Sequence, residues 1–381
     1  MSFLFVALLS IYICLAYFYP GDKVIHARFA EFMWDGSMSF AGNFIFYVLI
    51  IILSYCFSTF KPIVGTAEVF AVNVCILLAF ATTFKFQWVY RNFAQIVSNN
   101  RNRFLLALGL IFVMAIPIPS IFITGNWYIG NFVPNIWHNS TTIFLFPFAI
   151  ILFTLSIKQL ENYNHRRDWW ILLFVFLNIF IKPSYFFVWV CVYPLFLLLK
   201  YKFTAVFFKG LIPVIIGSLL LLAQYYYIFH CANTYDMFGN LVYQESSIVV
   251  EPFFSYSIRS PISMLPWTLL FSALFPFIHL FLNFRRLRKN TTFHFVYISA
   301  AVALIVFLLF AETGIRANDS NFYWQIVICM WILFYVSLCD LLKNRKQINE
   351  KYVKISLIIF AVHAIAGIAY LGRYLFTGVI L

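Results

Sequence analysis

The sequence predicts an all-α fold: a polytopic bundle of transmembrane helices, about eleven or twelve spans, with a broken or re-entrant helix pair around Lys182-Pro183. Three observations predict it. The 381 residues are 64% hydrophobic and 10% charged, against about 25% charged in a soluble domain. Mean hydropathy is +0.90, which suits a chain whose solvent is lipid. The apolar residues also fall in runs of roughly bilayer length separated by short loops. An ordinary globular enzyme, a disordered chain and a disulfide-stapled secreted module are excluded. Residues 1–381 read as a single integral membrane domain with no separate soluble domain.

The apolar runs, in order, cover about 2–20, 41–58, 67–84, 104–124, 141–157, 210–229, 263–283, 294–311, 323–342 and 355–376. The first run lacks a basic start and a small-residue cleavage site, so it reads as a span rather than a leader. The stretch 169–199 is apolar on both sides of Lys182-Pro183. Proline cannot continue the helical ladder and biases the preceding residue away from helix. Two short helices, 169–181 and 184–199, therefore meet at that dipeptide. The seven cysteines form no CxxC and read as small core residues.

The formal charge of +13 is a matter of topology rather than of nucleic-acid binding. Five loops, 85–103, 158–167, 200–209, 285–289 and 343–354, hold 19 of the 26 basic residues. The positive-inside rule places all five in the cytoplasm. Loops 125–140, 230–262 and 312–322 then share the opposite face with the Lys182-Pro183 turn. They carry Asp236, Glu245, Glu251, Glu312 and Asp319 but only Arg259 and Arg316 as basic residues. One face is basic and plain; the other is acidic and chemically varied. Loop 21–40 conflicts with this map. Three crossings between it and loop 125–140 put it on the cytoplasmic side, unless one early apolar segment fails to cross.

Five polar constellations stand out. Asp22 and His26 are four apart, so a helix puts them on one face. There they can abstract a proton, orient a base or help bind a metal; an interfacial helix in a polar loop is the plainer alternative. Pro134 to Thr142 holds Trp137, His138 and Asn139. Trp127, Tyr128 and Trp137 suit an aromatic belt, and Ser140 or Thr141 can cap the next helix, whose N-terminus attracts anions. Lys182, inside an apolar stretch, marks a functional site by default and offers a point charge for phosphate; snorkelling to the interface is the alternative. In Glu312 to Trp324, Arg316 offers a fork for phosphate or carboxylate, Glu312 lies four residues before it, and Asn321 and Trp324 close the segment. Loop 230–262, with His230, Asp236, Glu245, Glu251 and Arg259, is long enough to be functional or disordered. His279 and His363 read as packing or bonding to neighbouring helices.

On these residues the chain resembles the GT-C-type glycosyltransferases, polytopic enzymes that use lipid-linked sugar donors. A first span followed by a loop with Asp22 and His26, and the Ile181-Lys182-Pro183-Ser184 break before an apolar helix, carry the resemblance. The 134–142 and 312–324 segments also look like those of bacterial membrane proteins of surface-polysaccharide assembly. The resemblance implies a bacterial inner-membrane location, a site on the non-cytoplasmic face, a polyprenyl-phosphate-sugar donor, a glycan or lipid-linked acceptor, and an acidic base, here Asp22. The family's second acidic residue close to the first has no counterpart nearer than Glu31 and Asp35.

The expected function is thus sugar transfer. Asp22 takes the acceptor's proton with His26 orienting or replacing it, and Lys182 and Arg316 stabilise the leaving phosphate. Trp137, Tyr128 and Trp324 stack on sugar rings, while His138, Asn139, Glu312 and Asn321 complete the substrate contacts. No cofactor is implied; a divalent metal is compatible with the chemistry, but no compelling ligand set is present. The alternative is a transporter or flippase of a lipid-linked or anionic solute, since broken helices and midplane charges serve transporters too. A polysaccharide-complex subunit of the O-antigen-polymerase type, with no chemistry of its own, is a further alternative.

Overall fold

Where the sequence pauses at Pro20-Gly21, the first helix ends and the chain turns sharply. The computed structural model, which describes residues 2–60, 65–235, 239–242, 246–317 and 319–379, is about three quarters helical. Helix α1 (Ser2–Phe18) is followed by α2 (Asp22–Trp34), bent 84° from it, and by α3 (Ile45–Cys56) and α4 (Thr66–Phe93). Next come α5 (Asn100–Phe112), α6 (Ser140–Glu161), α7 (His165–Ile181), α8 (Ser184–Tyr201) and α9 (Ala205–Cys231). The chain ends with α10 (Ile262–Ser272), α11 (Leu274–Leu287), α12 (Thr291–Leu309), α13 (Trp324–Lys343) and α14 (Glu350–Thr377). Among the described residues sheet is confined to two-stranded ribbons. Strand β1 (Thr234–Tyr235) runs antiparallel to β2 (Leu241–Val242), with Thr234 opposite Val242.

Among the described residues seven helices are long and apolar enough to cross a membrane, or nine if the bent pairs α1–α2 and α10–α11 each count as one span. That is fewer than the eleven or so expected from run length, and the reasons are local. The run 41–58 yields α3 of 12 residues, about 18 Å against a hydrocarbon core of about 30 Å. The run 104–124 stops being helical at Phe112, since Pro117 and Pro119 together remove two ladder donors. The run 263–283 breaks at Ala273, where the axis bends 68°.

The chain forms two compact units. The first comprises Met1–Thr83, Trp137–Ile248 and Glu312–Asp319; the second comprises Phe84–Ile136, Val249–Ala311 and Ser320–Leu381. In the first, α7 and α8 form a hairpin alongside α6. Gln159 near the end of α6 donates to Asp168 at the start of α7 (2.7 Å), and Tyr201 at the end of α8 donates to the Gln159 carbonyl (2.8 Å). At the other end of α6, Asn139 receives the Lys182 amine at the hairpin tip (3.1 Å). The hairpin thus runs out along α6 and returns. Lys158, Arg166, Arg167, Lys200 and Lys202 lie at its base, and Lys182-Pro183 forms the tip.

The second unit is built around α13, whose most apolar stretch is 83% buried, against 33% for α12 and for α14. Trp331 donates to the Leu110 carbonyl (2.8 Å). The expectation for the two apolar histidines is met here. His279 Nε2 lies 2.9 Å from Asp340 Oδ2, and Arg286 also binds that carboxylate. His363 Nδ1 donates to the Met114 carbonyl (2.6 Å) and its Nε2 accepts from Phe275 N (3.3 Å). Lys85 is not a loop residue. It lies within α4, is buried, and donates to Asn135 (2.7 Å).

Candidate functional site

The first unit gathers most of the predicted polar residues at the end of α6 that faces the hairpin tip. Three backbone breaks make this possible. Pro20-Gly21 places Asp22 at the first position of α2, where a carboxylate suits the exposed N–H groups. Asn139 caps α6, its side chain accepting from Thr142 N (3.1 Å), as its residue type favours. Lys182 precedes proline and is extended, at φ −170° and ψ 119°, as the proline ring requires.

The contacts follow from these placements. Ser140 N–H at the start of α6 donates to Asp22 Oδ2 at 2.6 Å. Asp22 Oδ1 lies 3.5 Å from His26 Nε2, and His26 Nδ1 lies 2.7 Å from the Tyr47 hydroxyl. The Lys182 amine donates to Asn139 Oδ1 and Thr141 Oγ1, both at 3.1 Å, with the residue 8% exposed. The carbonyls at the end of α7 are satisfied from outside the helix. Gln224 donates to Ile179 O (3.0 Å) and Asn43 to Ile181 O (3.4 Å), answering the acceptors that every helix end leaves open. Glu312 holds Arg316, with Nε to Oε1 at 2.9 Å, and the guanidinium lies over the Phe229 ring at 5.5 Å.

The charges act on one another. Burial brings the Lys182 amine down to about 8, while Asp22, Asp319 and Glu312 resist the change. Burial also brings His138 down to about 4, so this imidazole is neutral at physiological pH. Burial would raise the Asp22 carboxyl, but the His26 imidazole and the hydrogen bonds from His26 and Ser140 outweigh it and hold it well below the usual carboxylate range. The Lys182 amine, the Arg316 guanidinium and the Asp22 carboxylate therefore share a partly dry site with Lys23, Glu312 and Asp319. Such groups can hold an anionic ligand and accept a proton beside it.

Asp22 sits at the hairpin-tip end of α6, where its carboxylate accepts from Ser140 N. Asp22, His26, His138, Asn139, Lys182, Glu312 and Arg316 all lie in the first unit. Asn321 and Trp324 do not; the 312–324 segment divides at Asp319, and both belong to the second unit. The aromatic roles also need correction. Trp137 is 2% exposed and packs on Tyr12 (5.8 Å), and Trp324 is buried edge-on to Tyr323 (5.4 Å). Each is consumed by core packing and presents no open ring face. Tyr128 packs edge-on against Tyr323 in the second unit (5.9 Å). Asp236, Glu245 and Asn318 lie outside the described residues.

Sequence reasoning missed Tyr47 and Lys23. Tyr47 sits in an apolar run, where a tyrosine reads as a membrane-interface residue. Lys23 lies between Asp22 and His26 in the chain, and its burial to 2% exposure is the signal that only packing supplies. Among the described residues no group of three or more His, Cys, Asp or Glu side chains is arranged to hold a metal ion. Comparison with protein-family models, with curated proteins and with solved structures finds no match.

Proposed function

We propose that the chain is an integral multi-pass membrane glycosyltransferase of a bacterial inner membrane. It moves a sugar from a polyprenyl-phosphate-linked donor to a glycan or lipid-linked acceptor at the non-cytoplasmic face. The observation that carries this reading is the juxtaposition of Asp22 and Lys182 at the two sides of one helix N-terminus, one on Ser140 N and the other on Asn139. A transfer of this kind needs a cation where phosphate charge develops and a carboxylate where the acceptor loses its proton. Membrane embedding is supported by α9, where Ile212, Ile215, Leu219, Leu222 and Tyr226 form an exposed apolar stripe at helical spacing.

In this reading the donor's isoprenoid stays in lipid and its phosphate meets Lys182 and Arg316. The acceptor hydroxyl oxygen attacks the anomeric carbon, the bond from that carbon to the phosphate oxygen breaks, and the phosphate leaves with the electron pair. The hydroxyl proton goes to Asp22. Purified protein in detergent, given a polyprenyl-phosphate-linked sugar and an acceptor, should form product, and Asp22→Ala should not while remaining folded. A transporter or flippase forms no product in the absence of a second compartment, so absence of transfer by the parent protein selects that alternative or a non-catalytic subunit.

A further inference from the structure

We infer that Tyr47 donates its hydroxyl proton to Nδ1 of His26 and thereby holds the imidazole in the Nε2–H form, so that His26 is a positioning residue and Asp22 the proton acceptor of the pair. The inference rests on the glycosyl-transfer reading only in naming Asp22 as a base; the assignment of the hydrogens stands on geometry.

The argument is a count of donors and acceptors. A phenol has one hydrogen to give, and a neutral imidazole has one nitrogen that donates and one that accepts. Tyr47 is buried in α3 at 3% exposure. Among the described residues its hydroxyl has one hydrogen-bond partner, His26 Nδ1 at 2.7 Å. Burial holds the phenol well above its ordinary value, and the nearby Asp22 charge adds to the effect, so the hydrogen is present. If Nδ1 carried the imidazole proton and donated to Tyr47, the phenol hydrogen would be buried with no acceptor, an expensive arrangement. If Tyr47 donates instead, every group is matched. The imidazole hydrogen is then on Nε2, which faces Asp22 Oδ1 at 3.5 Å, a carboxylate oxygen that can only accept.

The consequence is a division of labour that the Asp22–His26 spacing alone leaves open. With Nδ1 occupied by Tyr47 and Nε2 protonated, neutral His26 has no lone pair to offer an incoming hydroxyl. It can only orient Asp22, whose other oxygen is fixed by Ser140 N. A carboxylate fixed at one oxygen by Ser140 N and faced at the other by His26 Nε2 at 3.5 Å is restrained in orientation, as a preorganised site requires. Tyr47 acts at one remove, through the orientation and hydrogen placement of His26, the role that outer-shell partners of histidine play elsewhere.

The test uses the full-length protein in detergent with nitrogen-15-labelled histidine, the His26 signals being assigned by their loss in His26→Gln. The parent protein should show a bare Nδ1 and a protonated Nε2 for neutral His26, and Tyr47→Phe should raise the Nδ1–H population. A protonated Nδ1 in the parent, or an unchanged population in Tyr47→Phe, overturns the assignment. A kinetic arm uses a polyprenyl-phosphate-linked sugar. Tyr47→Phe should lower kcat by about tenfold or more with KM for the donor unchanged, and should add no further loss in a His26→Gln background. A full additional loss there means that Tyr47 acts apart from His26, and overturns the positioning role. Absence of transfer in the parent protein would refute the glycosyl-transfer reading and leave the hydrogen assignment to the spectra.

Discussion

At the scale of single residues, Asp22 and Lys182 have opposite problems and the fold treats them differently. Asp22 is surrounded by donors, so it stays ionised far into acid; as a base it is weak, and it takes a proton only as the acceptor oxygen becomes positive in the transition state. Lys182 is charged in a nearly dry place and is brought down to about 8. The pH dependence of kcat/KM should therefore be flat through mildly acidic pH and fall above about pH 8 as the ammonium is lost. An acid limb near the ordinary imidazole value of about 6.5 would move the base role to a histidine. Stability should run the other way. Between about 8, where the folded amine loses its proton, and its ordinary 10.5, the unfolded chain holds more protons than the folded one, so stability rises with pH. The stability of the parent relative to Lys182→Met should therefore rise across that window while activity falls, read by unfolding both proteins in detergent. Lys182→Met should lower kcat by about 10²–10³-fold, the usual cost of removing a group that stabilises developing negative charge, with little loss of fold.

At the scale of elements, the α7–α8 hairpin and the N-terminus of α6 carry the site. Asn139 serves both, capping α6 and receiving Lys182. Asn139→Ala should cost about 0.5–2 kcal/mol of stability as a lost cap and also raise KM for the donor, because the amine loses a fixed acceptor. Chemical denaturation and donor titration together separate the effects; a stability loss with unchanged KM would reduce Asn139 to a cap. The hairpin and its bend were legible, since Lys182-Pro183 interrupts an apolar run in a way that only a helix break explains. The break at Pro20-Gly21 was equally visible, but its consequence was not. That Asp22 reaches Ser140, 118 residues away, depends on α3 stopping at 12 residues and staying beside α2, where Tyr47 meets His26 and Tyr55 meets Trp34 at 4.5 Å. Run length alone could not distinguish a short buried helix from a span. In the second unit, Asp340 accepts from Arg286 and pairs with buried His279. Asp340→Ala strands the Arg286 guanidinium and leaves buried His279 without its partner, and should destabilise by about 3 kcal/mol, read as a lower midpoint in thermal unfolding.

At the scale of the whole molecule, composition predicts a helical chain with membrane-crossing runs; three quarters of it is helical, and among the described residues seven helices are long and apolar enough to cross a membrane. The count of spans was overestimated because prolines and short helices divide runs that composition joins. Along α6, Lys158, Arg166, Arg167, Lys200 and Lys202 collect at the base of the hairpin, and Asp22 and Lys182 at its tip. The topology that follows can be read by labelling. In intact cells a membrane-impermeant maleimide should modify Ser37→Cys, an exposed position just beyond α2, and should spare Arg166→Cys, exposed at the base of the hairpin. Labelling in the reverse order would place the site on the cytoplasmic side. The aromatic residues were the least legible part, since a tryptophan in a loop gives no sign of whether it faces a ligand or fills a core, and Trp137 fills the core.

The most direct measurement is release of polyprenyl phosphate from a radiolabelled polyprenyl-phosphate sugar by purified protein, comparing the parent with Asp22→Ala in the presence of acceptor. The account predicts acceptor-dependent release by the parent and a fall of at least about 10²-fold in the variant, with both proteins unfolding at similar temperatures. Release that is undiminished in Asp22→Ala, or absent from the parent, would contradict it.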